Sequence, residues 1–303
     1  MMFNHAIMTN YKNRLRALVG GFLCAMLFGF LSSAQASTPL KLTSWNMDWL
    51  TLRPANDPAL PPNVPTRTQA DFAALRAYAE KLQSDLIAFE EVDGPDAARQ
   101  VFPPQDYVLF FAPDPIIQQV GLAMRRDKGL TATLNPELTA LNILQEGHHH
   151  PLRGGLDITI HHGDAHLRLL ILHLKTGCWA QPLTSKKRAC RLLYQQFHVI
   201  ENWILDRQDD GIPFAILGDF NRRLTPLDPL MQTLQSDAPL TLTTAGFSSP
   251  CLGGRQFIDH IILGNQAREW LIADSLRVMV FPHTARGITL SDHCPVSVQL
   301  ALP

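Results

Sequence analysis

Six short clusters of acidic, amide and imidazole side chains recur along the 303-residue sequence, each at or beside an apolar run. Ser44-Trp45-Asn46 closes the first run and Glu90-Glu91-Val92 the second, while His173-Leu174-Lys175 and Gly218-Asp219-Phe220-Asn221 close two later ones. Ile258-Asp259-His260-Ile261 lies within a run, and Ser291-Asp292-His293-Cys294-Pro295 precedes the last. Polar residues gather wherever strands give way to loops, so one such cluster signifies little. Six in one chain make a set of chemical parts. Carboxylates and an amide suit a hard divalent cation, which prefers oxygen donors and keeps several waters. A carboxylate or histidine beside it can activate a water, and hydrogen-bond donors can hold a phosphate in line. The chemistry these parts fit is hydrolysis of a phosphoric ester by metal-activated water.

The ordered set Trp-Asn, Glu-Val, His-Leu, Gly-Asp-Phe-Asn, Ile-Asp-His and Ser-Asp-His resembles the endonuclease/exonuclease/phosphatase family, from about Leu40 to Leu300. Gly-Asp-Phe-Asn and Ser-Asp-His are specific together; Trp-Asn or Ile-Asp-His alone is weak. The resemblance implies an α/β fold, a four-layered sandwich of two mainly antiparallel sheets packed face to face with helices outside. It implies Mg2+ or Mn2+ as cofactor, with Ca2+ as a second, structural ion. By the same resemblance Glu91 is the principal metal ligand, Asn46 stands beside the metal or phosphate, and Asp292 helps hold the cation. Glu90 stands where relatives often have glutamine, so the choice between the two glutamates stays open. Asp219 resembles the carboxylate that orients or deprotonates the attacking water, and Asn221 the amide that holds the phosphate. His293 resembles the histidine paired with a buried acid, here Asp259, and His173 the one that donates to a phosphate oxygen. The general base is Asp219 or His293. Arg153 falls where relatives present an arginine or tyrosine to the phosphate, although a solvated loop arginine fits its weak motif nearly as well. Lys175 is in the same position, and His260 reads as a bystander.

The elements that must position these residues follow from apolar spacing. Strands are predicted over 40–47, 86–92, 107–111, 118–125, 130–134, 156–161, 166–174, 214–217, 257–263, 277–280 and 296–300. A helix over 68–83 places Phe72, Leu75, Ala79 and Leu82 on one face, and one over 185–207 does the same with Ala189, Leu193, Phe197, Ile200 and Ile204. A short helix is predicted over 227–234, and the proline-rich stretch 54–65 is a loop. The order of strands and helices repeats, which predicts two similar halves of one domain. His148-His149-His150 reads as solvated loop, because three consecutive side chains rarely converge on one ion.

Lys12, Arg14 and Arg16 precede an apolar run from Ala17 to Leu31 and the small-x-small pattern Ala34-Gln35-Ala36. This predicts a signal peptide over 1–36, a domain over 37–303 and a periplasmic or secreted location. The run falls short of the roughly 20 apolar residues of a spanning helix, and an uncleaved anchor is the alternative. Losing three basic and no acidic residues takes the net charge from −1 to −4. Of five cysteines, Cys24 lies in the leader. The remaining four read as two disulfides, with Cys178–Cys190 and Cys251–Cys294 preferred among three connectivities because the first closes a short loop. Four free thiols are the alternative, and the lack of C-x-x-C spacing argues against zinc.

Substrate class is the thinnest reading. Mild acidity argues against gripping nucleic acid by bulk charge, yet allows a local basic groove. Arg222 and Arg223 follow the Gly-Asp-Phe-Asn cluster, and Lys186, Lys187, Arg188 and Arg191 crowd the predicted helix start, where the macrodipole disfavours cations. These residues point to nucleic acid as substrate, with Arg153, Arg222 and Arg223 on phosphates and the chain acting as a monomer. A sphingomyelinase-like hydrolase is the alternative, although Trp179 is a lone aromatic in its loop. A non-catalytic binding module or toxin-like subunit on the same fold is the second.

Overall fold

The structure is a computed structural model that describes residues 39–303 apart from 65, 137, 145–150, 237, 252 and 282–289. The predicted leader and His148 to His150 lie outside the described residues. Two parallel strand pairs organise the chain. β1 (Leu40–Leu50) and β2 (Leu86–Val92) are joined by α1 (Gln69–Leu82). β7 (Ala165–His173) and β8 (Phe214–Asp219) are joined by α3 (Arg188–Asp209). Parallel neighbours need such a crossover, because the chain must return to the starting edge before the second strand begins.

The remaining strands pair antiparallel on either side. β3 (Tyr107–Phe111), β4 (Gln119–Arg125), β11 (Arg277–Val278) and β12 (Val296–Leu300) complete a first sheet of order β11-β12-β1-β2-β4-β3. β5 (Thr131–Leu134), β6 (Leu156–His162), β9 (Leu240–Leu242) and β10 (Asp259–Gly264) complete a second of order β5-β6-β7-β8-β10-β9. Each sheet has a central parallel pair flanked by antiparallel strands, which is the expected repetition.

Leu42, Ala88 and Leu122 of the first sheet share a core with Ile158, Leu169 and Ala215 of the second. On the outer face of the first sheet, α1 and α2 (Gly94–Val101) bury Phe72, Leu75 and Ala98 with Trp45, Ile87 and Phe89. On the outer face of the second, α3 and α4 (Pro229–Leu234) bury Leu193, Phe197 and Met231 with Leu170, Leu172 and Ile216. The result is the predicted four-layered sandwich. Both sheet faces are dry, so the central strands read as continuous apolar runs with successive residues serving opposite cores.

Local signals set the helix ends. Thr68 and Asp71 form a reciprocal capping box, Thr68 Oγ1 accepting from Asp71 N and Asp71 Oδ2 accepting from Thr68 N at 2.7 Å. α3 starts at Arg188, later than predicted, because Lys187, at ψ 134°, is outside the helical range and forms the N-cap without a side-chain bond. Lys186 and Lys187 therefore precede the helix. Disulfides join Cys178 to Cys190 and Cys251 to Cys294, the preferred pairing. α2 and β9 escaped the sequence reading because eight and three residues carry too little periodicity. Among the described residues, no helix is long and apolar enough to cross a membrane.

Candidate active site

The clusters meet because parallel neighbours end on the same edge of their sheet. Asn46 on β1 pairs with Glu90 on β2, His173 on β7 with Asp219 on β8, and Asp219 with Asp259 on β10. Close approach of β7 and β8 depends on Gly218. Its φ is +138°, and a Cβ there would run into the carbonyl oxygen of Leu172. Beyond Phe89 the register of β2 against β4 slips, and Glu91 has φ +61°. With the chain turned in this way Glu91 faces the cleft, whereas Glu90 is fully buried. The two adjacent carboxyls thus have different environments, which resolves their placement.

Asn46 Nδ2 donates to Glu91 Oε1 and Asp219 Oδ2, both at 3.2 Å, tying the two sheets together across the cleft. The second oxygen of Glu91 accepts from Trp49 N at 3.2 Å. Asn221 Nδ2 donates to Leu174 O and to Asp219 Oδ2, each at 3.1 Å. Its two amide hydrogens are committed, so in this geometry Asn221 orients Asp219, and the expected donation to phosphate has no hydrogen left to use. Arg67, unnoticed in the sequence, is buried and donates to Met47 O, Asp48 O, Trp49 O and Leu290 O. It locks the end of β1 against the segment that leads into Ser291-Asp292-His293. Ser291 Oγ adds a bond to Asn46 O at 2.7 Å. No local pattern marks Arg67, because its partners are backbone carbonyls brought in by folding.

The electrostatics divide the ionisable groups. His293 Nδ1 donates to Asp259 at 2.8 Å and its Nε2 faces Asp219 at 4.0 Å. Although burial acts to lower it, the neighbouring charges of Asp259, Asp219 and Asp292 and the Asp259 bond hold the imidazole pKa well above its ordinary value. His173 is pushed well below, by burial first and then by Arg153, His293 and Lys175. Its Nε2 lies 3.6 Å from Glu91 Oε1 and 3.5 Å from Asp219 Oδ2, and Nδ1 has no partner among the described residues. Asp219 is raised to about 7, chiefly by burial, with Asp259 and Glu91 adding repulsion against the pull of His293. Glu90 is raised well above the carboxylate range by burial and by Asp259 and Asp219, which favours its neutral form.

Asp219, Asp259 and His293 each bring a ligand atom within 4.8 Å of the others, an acidic group able to hold a metal ion. Both Asp259 oxygens are already engaged by His293 Nδ1, so that pair is better described as a hydrogen-bonded dyad. Glu91, Asp48 and Asp292 add three more carboxylates, Asp48 Oδ2 lying 3.9 Å from Arg67 and Asp292 Oδ1 3.8 Å from His293 Nε2. Asp48 is raised to about 6 by burial and by Asp292 and Glu91. Carboxylates crowded in this way, with Arg67 as a partial counter-charge to Asp48, fit a divalent cation held by oxygen donors.

The sequence matches no protein-family model and no curated protein. Solved structures are similar in three dimensions. A humanised D. rerio TDP2 with 14 mutations aligns with TM-score 0.59 at 16% identity, covering 86% of this chain and 98% of that one. The human Nocturnin catalytic domain with bound sulfate gives 0.55 at 17%, covering 88% and 95%. An endonuclease/exonuclease/phosphatase from Bacteroides vulgatus gives 0.56 at 13%, covering 88% and 100%. The fold is that of the endonuclease/exonuclease/phosphatase superfamily.

On this endonuclease/exonuclease/phosphatase fold the predicted site residues fall into two groups. Asn46, Glu91, His173, Asp219, Asn221, Asp259, Asp292 and His293 converge on the cleft, whose cavity is about 530 Å³. Arg153 lines the same cleft, but its guanidinium donates to His173 O, Leu174 O and Gln118 Oε1. It braces the end of β7, so it is not the solvated loop arginine that the sequence allowed. Arg222 corrects the sequence reading outright. It is 2% exposed, paired with Asp228 at 2.7 Å and bonded to Cys178 O and Gln181 O, so it cannot reach a substrate phosphate. Arg223, one residue on, lines the cleft together with Trp179 and Arg255, neither of which the sequence singled out as a site residue. Lys175 is half-buried with its backbone N–H on Gln196 Oε1. His260 is a buried spacer whose Nδ1 and Nε2 meet Thr244 Oγ1 and Arg222 O.

Proposed function

We propose that the chain is an exported, divalent-metal-dependent phosphodiesterase that hydrolyses nucleic acid. The observation that carries this reading is the His293–Asp259 dyad directly beside Asp219, which Asn46 ties to Glu91 in the same cleft. Glu91, with the Asn46 carbonyl and Asp292, would hold a Mg2+ or Mn2+ ion, which supplies neutralisation of phosphate oxygens and a more acidic water. Asp219, with its pKa near neutrality, takes the proton of the attacking water, and Asn46 and Asn221 keep its carboxylate aimed. His293 enters as imidazolium, held by Asp259, and stabilises the negative charge that builds on phosphorus oxygens. His173 is neutral and donates one N–H to a phosphate oxygen. This division makes Asp219 the base.

Nucleic acid as substrate is supported by Arg223 and Arg255 on the cleft wall and by D. rerio TDP2, a similar structure that holds a single-strand DNA product. Export is supported by two disulfides and the leader pattern over 1–36. The test is a matched assay of purified 37–303 on plasmid DNA, single-stranded RNA, sphingomyelin and an inositol phosphate, with Mg2+, Mn2+, Ca2+ or a chelator. Chelator-sensitive cleavage of a nucleic acid that is lost in Asp219→Ala is expected. Turnover of lipid or inositol phosphate alone would overturn the substrate, and activity in chelator would overturn the metal.

A further inference from the structure

Trp179 is 40% exposed, and its indole forms part of the active-site wall beside Arg223 and Arg255. Exposed tryptophan is not rare on protein surfaces, but this one sits on a loop secured at several points. Cys178, the preceding residue, is bonded to Cys190 in the first turn of α3. Arg222 Nη1 donates to Cys178 O at 3.1 Å and Gln181 O at 2.7 Å, on either side of Trp179. Arg223 N donates to Trp179 O at 2.8 Å. A fully desolvated arginine, neutralised by Asp228, is thus spent on fixing a loop whose outward product is one aromatic face at the cleft. Arg223 Nε is buried without a hydrogen-bond partner among the described residues. An aromatic face flanked by cations along a groove is the arrangement that binds single-stranded nucleic acid, with bases stacking and the backbone following the charges.

We propose that Trp179 is a stacking platform for a nucleobase next to the scissile phosphate of a single strand, with Arg223 and Arg255 on the adjoining backbone. This rests on the nuclease reading above. Pre-organisation of the loop means that little ordering cost is left at binding. Because every base has a π-face, the platform confers preference for bases over bare backbone without reading sequence.

The experiment compares kcat and KM on an oligothymidylate and on an abasic phosphodiester chain of equal length. The wild type is expected to favour the thymidylate, and Trp179→Ala to raise KM on it by about tenfold while narrowing that preference. Trp179→Phe, which keeps a stacking face, is expected to restore most of the preference. Equal loss on both chains in Trp179→Ala would mark a structural role and overturn the platform. Equal cleavage of both chains by wild type and variants would also overturn it while leaving the nuclease reading intact. Binding of wild type, but not Trp179→Ala, to sphingomyelin vesicles without any base preference would assign the indole to a lipid surface instead. Cleavage of neither chain, nor of plasmid, overturns the nuclease reading and the platform with it.

Discussion

His293 Nδ1 lies 2.8 and 2.9 Å from the two oxygens of Asp259, which leaves Nε2 as the nitrogen that faces the cleft. The carboxylate fixes both the orientation of the ring and its positive charge. Asp259→Asn keeps the shape and removes the charge, so kcat is expected to fall by about 10²- to 10⁴-fold with the melting temperature little changed. Steady-state kinetics near neutral pH checks this, and near-wild-type turnover would remove the dyad from the mechanism.

The adjacent glutamates separate by environment. Glu91→Gln removes a charge from the cleft and is expected to raise the Mg2+ concentration for half-maximal activity at least about tenfold. Glu90→Gln replaces a fully buried acid, whose surroundings favour the neutral form, with an isosteric amide and is expected to leave the Mg2+ titration unchanged. The opposite ranking would move the metal ligand to Glu90.

Arg222→Ala strands Asp228 and the Cys178 and Gln181 carbonyls in a buried setting. The cost in urea unfolding is expected to be about 3–5 kcal/mol. Arg222→Met with Asp228→Asn removes both charges, keeps an N-cap for α4 and recovers a good part of that loss. A stable Arg222→Ala protein that fails only in substrate binding would restore the phosphate-contact reading.

His260 is fully buried, and burial pushes its pKa from 6.5 to about 4. The folded state therefore holds it neutral while the unfolded chain takes up a proton below 6.5. Its contribution is complete above pH 6.5 and is lost as pH falls toward 4, a change of about 3 kcal/mol. Urea midpoints at pH 7.5 and about pH 4.5 should show a smaller acid-induced drop in His260→Gln than in wild type. Identical pH slopes in the two proteins would show that another group sets the acid sensitivity.

Much of this architecture is legible in the chain because its signals are local. Runs such as Leu86 to Val92 and Val296 to Leu300 fall on strands at their predicted bounds, and Phe72, Leu75, Ala79 and Leu82 form the buried stripe of α1. Polar groups at the ends of apolar runs had to lie at strand ends, so the clusters around Asn46, His173 and Asp219 could be located without coordinates. The α2 helix could not, since Gly94-Pro95-Asp96 reads as a turn and eight residues give only about two periods.

The sequence by itself determined the alternation of strands and helices, the inventory of carboxylate, amide and imidazole groups, and their positions at strand ends. These follow from nearest neighbours along the chain. Only the tertiary structure decided which of two adjacent residues does what. Glu91 faces the cleft and Glu90 is buried because the β2 register slips against β4 and Glu91 turns left-handed. Arg223 lines the cleft and Arg222 is buried because Asp228 and two carbonyls of the Cys178 loop gather around the latter. The raised pKa of Asp219 likewise comes from burial and from Asp259 and Glu91 on other strands. Direction, burial and local charge depend on partners distant in sequence, and folding alone brings them together.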